Sequence, residues 1–320
     1  MALATEQTMS VRRAVVIMSL AVYAVGACAR AVEGPRIAFS SWRAGGWDIY
    51  VANLENDDLQ RITRHPAVDR HASWSPDGTE LAFASRRDGD SAVYIMAADG
   101  RNVRRVEGIE GWAAHPAWAP DGKRLAYANG GSDLYTVSLA TGQSRFLADH
   151  VVGSKPAWSP DGRVVAYGGS DVEQNHRDVF TVEVDGGERR NLTNAMWADQ
   201  DPTWSPGGQI AFSSWREPGR AIHVMDADGA NVHAVTDDTL ATNRHVHPNW
   251  SAGGRWITYD SWSEVHVLDM TSGQSRVVVT GAVRNEGASI WVESARAVSP
   301  VGRRSDAWGW LKTVGSRISR

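Results

Sequence analysis

Three places ahead of a recurring tryptophan the chain sets His71, His115, Lys155, Asp201 and His247, five ionisable groups at one position of a repeated phrase. Ala288 takes that place ahead of Trp291, in a degenerate sixth copy. If the repeats close into a ring, these side chains gather around one mouth of its axis. Imidazoles, an ammonium and a carboxylate held together can bind a charged group, exchange protons or hold a metal ion. His245 and His247 are two apart, so on a strand they point to one side. With His71 or His115 they would make a nitrogen set suited to a divalent ion. The same groups equally suit a hydrated polar channel, and residue type alone does not separate the two readings.

A second set of residues suits recognition. Ser40-Ser41-Trp42-Arg43, Ser213-Ser214-Trp215-Arg216 and Asp260-Ser261-Trp262 place an indole at matching positions of three repeats, with Trp47 close to the first. Tryptophan exposed beside Arg43 or Arg216 suits a protein partner or a stacked sugar ring. Packing of these rings over loop backbone is the alternative.

The elements that position both sets follow from the repeated phrase. Pro-x-Trp-Ser-Pro-Asp-Gly, or a close variant, surrounds Trp74, Trp118, Trp158, Trp204 and Trp250 at intervals of 40 to 46 residues, the mark of a repeat protein. Apolar runs such as Leu81-Ala82-Phe83 and Leu125-Ala126-Tyr127 follow each copy and read as strands. The intervening Pro-Asp-Gly predicts a tight turn, with glycine at the positive-φ place. A third and a fourth run complete a four-stranded antiparallel unit, which must stack on radial neighbours to cover both faces. The chain is therefore expected to be all-β, a six-bladed β-propeller over residues 34–294. The repeated tryptophans are expected to pack blade against blade. Its first unit opens at Arg36 with a second-strand pattern, and first-strand character reappears at Ala288-Ser289-Ile290-Trp291-Val292. The late strand is expected to complete blade 1 and close the ring, removing exposed sheet edges. Residues 295–320 would then be an extra strand or a tail.

The repeat resembles that of the TolB-type β-propellers, over about residues 35 to 294. The likeness implies the fold far more than a function. A TolB role is not implied, because the separate domain that precedes the TolB propeller is not expected here. The run His245-x-His247-Pro248-x-Trp250 is similar to one in oligogalacturonate lyases, propellers that hold a divalent metal near histidines and cleave acidic sugars by β-elimination. That similarity implies a metal at His71, His115, His245 and His247, with Lys155 or Arg244 as base or charge clamp. Gly-x-Ser-x-Gly, a phosphate-binding glycine loop and His-Glu-x-x-His do not occur.

Composition narrows the partners. The 320 residues are 42% hydrophobic and 22% charged with a net charge of −4, as expected of a soluble fold, and the basic residues after 295 are scattered, so no nucleic-acid partner is expected. Arg12-Arg13 precede an uncharged run from Ala14 to Ala27, long enough for a signal-peptide core and short for a membrane span. Residues 1–29 read as an export signal. Cys28, the single cysteine, follows Val25-Gly26-Ala27 in what resembles a lipoprotein cleavage box, which would acylate it; ordinary cleavage after Ala29 is the alternative. The expected protein is an exported monomer, periplasmic or lipid-anchored to the outer membrane. It would bind an envelope protein or glycan without catalysis or a cofactor. A metal-dependent lyase is the other reading.

Overall fold

The repeated phrase folds as its chemistry directs. In the second repeat Gly78 N donates to Ser75 O at 2.9 Å, and Asp77 Oδ1 accepts the Ser75 hydroxyl at 2.6 Å and the Thr79 N–H at 3.1 Å. Gly78 has φ 68°, a left-handed place that a Cβ would strain. The same turn bond recurs at Gly122, Gly162, Gly208 and Gly254, at 2.8 to 3.0 Å. Loss of the aspartate at Gly207 and Gly253 therefore leaves the turn in place.

The computed structural model describes residues 34–291 other than 57, 131, 153–154, 171–175, 217–218, 237–244, 262 and 282–283. Within them lie six antiparallel sheets of four strands each. Blade 2 shows the order from axis to rim: Asp69–Trp74, Glu80–Ser85, Ala92–Ala97 and Arg104–Arg105. The inner strands of blades 3 to 6 are Ala113–Trp118, Ala157–Trp158, Asp199–Trp204 and His245–Trp250. Blade 1 takes its inner strand, Asn285–Trp291, from the far end of the sequence, paired antiparallel with Arg36–Ser41. The ring is thus closed as the sequence predicts.

Burial runs between blades. One cluster joins Ala38, Ile49 and Val51 of blade 1 to Trp74, Leu81 and Phe83 of blade 2, and comparable clusters fill other interfaces. Middle strands such as Asp48–Asn53 are buried throughout, since each has a blade on either side and cannot alternate apolar with polar. The outer strands of blades 2 and 4, Arg104–Arg105 and Arg190–Asn191, are short and charged, which discourages edge pairing.

The sixth copy of the repeat is shifted from its expected place. Trp74 pairs with Leu81 and Trp118 with Leu125, and the matching residue of blade 1, Ile37, pairs with Ile290. Ile290, and not Trp291, therefore occupies the sixth tryptophan position. Beyond the mouth the channel widens to an open chamber of about 780 Å³, solvent included, and Ile290 lines it alongside Trp74, Trp118, Trp158, Trp204 and Trp250, as this register requires.

These tryptophans serve their interfaces unequally. Between blades 1 and 2, Arg36 lies 4.7 Å over the Trp74 ring and donates to Gly78 O at 3.1 Å, while Trp74 Nε1 donates back to Ser289 O at 3.1 Å. Between blades 3 and 4, Arg124 repeats this with Trp158, Gly162 O and Ala117 O, at 4.8, 3.3 and 3.1 Å. The arginine position holds Glu80, Val164 and Gln209 between blades 2 and 3, 4 and 5, and 5 and 6, and there the indole nitrogens of Trp118, Trp204 and Trp250 are buried without a hydrogen-bond partner among the described residues. At the seam between blades 6 and 1 the arrangement reverses. Trp256 holds the arginine position and packs against the cluster that contains Ile290.

Candidate functional site

The mouth residues are placed by a bulge. Pairing slips between Arg70 and Ser73, Ala114 and Ala117, Gln200 and Thr203, Val246 and Asn249, and opposite Ala38–Ser40 in blade 1. At each slip one residue takes positive φ: His71 at 60°, His115 at 53°, Asp201 at 54°, His247 at 52° and Gly287 at 64°. Histidine and aspartate tolerate this conformation better than most residues, so their recurrence has a backbone cause as well as a chemical one. In blade 1 the corner belongs to Gly287, while Ala288, the expected mouth residue, is buried in the core. Glu286, which the sequence reading missed, enters the mouth from the preceding position.

A pocket of about 310 Å³, open to solvent, is lined by His71, His115, Lys155, His247, Glu286 and Gly287. The rings of His71 and His115 stack across blades 2 and 3 with centroids 3.6 Å apart and planes 20° apart. Burial lowers the pKa of both, that of His115 well below the ordinary 6.5, so both are neutral at pH 7. Glu286 pairs with Arg70 and lies 3.7 Å from His71 Nε2. Burial pushes its pKa up, but these partners overcome that and hold it ionised.

His247 is the charged member of the set. Its Nδ1 is 3.0 Å from Asp260 Oδ2 and its Nε2 3.9 Å from Asp201 Oδ2. Burial lowers its pKa, yet the two carboxylates outweigh burial and raise it to about 9. Asp260 Oδ2 also accepts the Gly287 N–H at 2.5 Å, joining blade 6 to the closing strand. Lys155 borders both the mouth pocket and the tryptophan chamber, so its side chain stands at the neck between them. Burial brings its pKa down to about 8, with Asp201 and Asp260 opposing.

The expected metal set does not come together. The bulge starts after Val246 and breaks the alternation that would have put His245 beside His247. The His245 ring instead packs 4.8 Å from Tyr259, with Nδ1 3.0 Å from Thr236 Oγ1. Stacked His71 and His115 have parallel ring planes, so their lone pairs do not converge on one ion. Among the described residues no group of three or more His, Cys, Asp or Glu side chains is placed to hold a metal.

The tryptophan loops lie at the mouth end of blades 1 and 5. Trp42 is 40% exposed and Trp215 is 46% exposed. Trp47 meets Trp42 edge-on at 5.9 Å and is stacked by Arg70 at 4.6 Å and Arg284 at 5.8 Å. Arg220 lies 4.6 Å over Trp215. The arginines picked from sequence face inward: Arg216 pairs with buried Asp199 at 2.9 Å, and Arg43 stacks on Tyr50 at 5.2 Å. Arg70, Arg220 and Arg284 are the cations beside the indoles, and only contact with the rings marks them out. Trp262, Arg244, Cys28, the expected export signal and residues 295–320 lie outside the described residues.

Fold and site together define a six-bladed propeller with a polar mouth, a lysine neck and an indole-lined chamber. The chain belongs to the TolB beta propeller domain family, whose model matches residues 5–208. No curated protein sequence matches it. TolB from Acinetobacter baumannii is similar in structure, with a TM-score of 0.67 and 15% identity over 80% of this chain; this chain spans 66% of that TolB's length. A TolB candidate from Agrobacterium tumefaciens has a TM-score of 0.64 and 22% identity over 79% of this chain and 92% of its own. An oligogalacturonate lyase in complex with manganese has a TM-score of 0.53 and 17% identity over 77% of this chain and 73% of its own. At these identities the likeness is one of fold.

Proposed function

We propose that the chain acts as an exported, non-enzymatic scaffold of the cell envelope that binds a protein or glycan across its mouth face. The observation that carries this reading is the pair of exposed indoles, Trp42 and Trp215, at matching loop positions beside a polar mouth. Large flat side chains fixed by rigid neighbours lose little entropy on binding and recur at binding hot spots. The mouth already balances its own charges: Glu286 has Arg70, and Asp201 and Asp260 face His247 and Lys155. A preassembled, neutralised rim supports docking better than proton transfer. An export signal within residues 1–29, with or without acylation at Cys28, is the proposed route to the envelope.

The test is capture from envelope extract by the purified chain, compared with Trp42→Ala and Trp215→Ala. Loss of a captured component in either variant supports the scaffold. Unchanged capture by both variants would overturn it. The lyase reading requires about one tightly held divalent ion per chain, lost in a His71→Ala/His247→Ala variant, together with release of unsaturated products from acidic oligosaccharides.

A further inference from the structure

Within the scaffold reading, on which this inference rests, we propose that the blade 1 side of the mouth binds an acidic glycan, a chain of sugars bearing carboxylates or sulfates. The indole of Trp42 would take a sugar face, and Arg284 would take an anionic group.

The aromatic platform is built rather than incidental. Trp42 N donates to Arg284 O at 3.0 Å, so the exposed indole and the arginine are fixed to one another through the backbone. Trp47 supports Trp42 edge-on and is itself covered by Arg70 and Arg284. Trp42 is thus 40% exposed beside a Trp47 that carries guanidinium groups on its ring. A sugar ring offers an apolar C–H face to an exposed indole, and its carboxylate or sulfate fits the planar fork of arginine.

Charge favours an anionic ligand at this place on a chain that is acidic as a whole. Arg284 is exposed and forms no ion pair among the described residues. Arg70 already serves Glu286 and holds the platform in place. The loop entering blade 3 presents exposed Glu110, whose carbonyl accepts from Asn129 at the mouth end of that blade. An anionic chain is therefore drawn toward blade 1 and repelled from blade 3.

A glycan fits better than an acidic protein segment. Protein hot spots set their aromatic anchors among apolar contacts that exclude water. Trp42 is the only large exposed hydrophobic residue described in the loops around this platform. The other large exposed hydrophobics described on the mouth face, Met196 and Trp215, belong to the loops of blade 5.

Calorimetric titration of the purified full chain with galacturonate tetramer, dextran sulfate, maltotetraose and poly-glutamate tests the inference. The expected result is binding of the tetramer or dextran sulfate, weakened by salt and unaffected by EDTA, with no binding of maltotetraose or poly-glutamate. Carboxylate and sulfate preference is read from the first two probes. Trp42→Ala should weaken binding about tenfold, as for a hot-spot residue, and Arg284→Glu at least as much. Trp42→Tyr, which keeps a ring, should retain most of the affinity. Failure of both acidic glycans to bind, equal binding of poly-glutamate, or indifference to Trp42→Ala would overturn the proposal. If Trp42→Ala loses a captured envelope component while neither glycan binds, the glycan inference falls and the scaffold reading stands. If capture is also unchanged in Trp42→Ala and Trp215→Ala, both fall.

Discussion

Blades 1 and 2 meet through an arginine that stacks on Trp74 and a return hydrogen bond to Ser289 O, whereas blades 2 and 3 meet at the same repeat position through Trp118 alone. The difference lies in one residue at the start of the second strand, Arg36 in one blade and Glu80 in the next. A recurrent tryptophan thus fixes where neighbouring blades touch. The residue facing it decides how firmly.

The strongest way to break the comparison is at the seam, where Trp256 and Ile290 reverse the usual order. Ending the chain before Ala288 removes Ser289, Ile290 and Trp291, and with them the blade 1 acceptor for Trp74 and most of the closing strand. The expected outcome is aggregation or loss of a cooperative thermal transition. Ending it after residue 300 should leave the transition in place. A chain cut before Ala288 that melts like the full one would show that closure is dispensable.

Tryptophan to phenylalanine substitutions compare the two kinds of interface directly. Trp74→Phe and Trp158→Phe lose ring area and a hydrogen bond, while Trp118→Phe loses area alone. Urea titration should therefore place the first two about 1 kcal/mol below the third in stability. Equal losses at all three would mean that the return hydrogen bond contributes nothing.

The comparison can also be sharpened by building the missing contact. Glu80→Arg sets a guanidinium where Arg36 and Arg124 stand, facing Trp118 and Gly122 O. It forfeits an exposed ion pair with Arg104 at 2.7 Å. The net gain should be about 0.5 kcal/mol, since exposed ion pairs contribute little and cation–π contacts somewhat more. A loss of stability would argue that the glutamate was chosen for its pairing with Arg104.

A further comparison is in pH dependence. Blades 2 and 3 share the His71–His115 stack, whose pKa values are depressed in the folded state. The unfolded chain takes up those protons first, so stability should fall as pH drops below about 6.5, the ordinary histidine range. His115→Asn should flatten that acid limb. His247, raised to about 9, acts in the opposite direction. Its contribution is complete below about 6.5 and is lost as pH climbs through 9, so His247→Gln should flatten the alkaline limb. Melting temperatures across pH 5 to 10 would check both signs.

The fold was legible because local chemistry repeats it. Proline, aspartate and glycine name the turn, apolar runs name the strands, and the unmatched strand patterns at the two ends reveal the closure. The site was legible only in part. The position three residues before each tryptophan did mark the mouth, yet in the last copy the tryptophan itself misled. Ile290 and Trp291 stand side by side, and only the pairing of Ile37 with Ile290 fixes the register. That single-residue shift hid Glu286 and Gly287. The parity of His245 and His247 failed for a related reason, because a bulge inserts a residue that a period of two does not count. Arg284 carried no signal in the sequence, as its contact with Trp47 joins residues 237 positions apart.

The closing strand also sets a timetable. Blade 1 has three of its strands near the start of the described chain, yet its innermost strand is synthesised after every other blade. Until Asn285–Trp291 arrives, Arg36–Ser41 has an open edge, Trp74 lacks its acceptor at Ser289, and the His71 corner lacks Glu286. Contacts separated by more than two hundred residues are slow to form because a long loop must close before they contribute. Assembly of the ring is therefore expected to end with one late, cooperative step that completes the first blade and the mouth together.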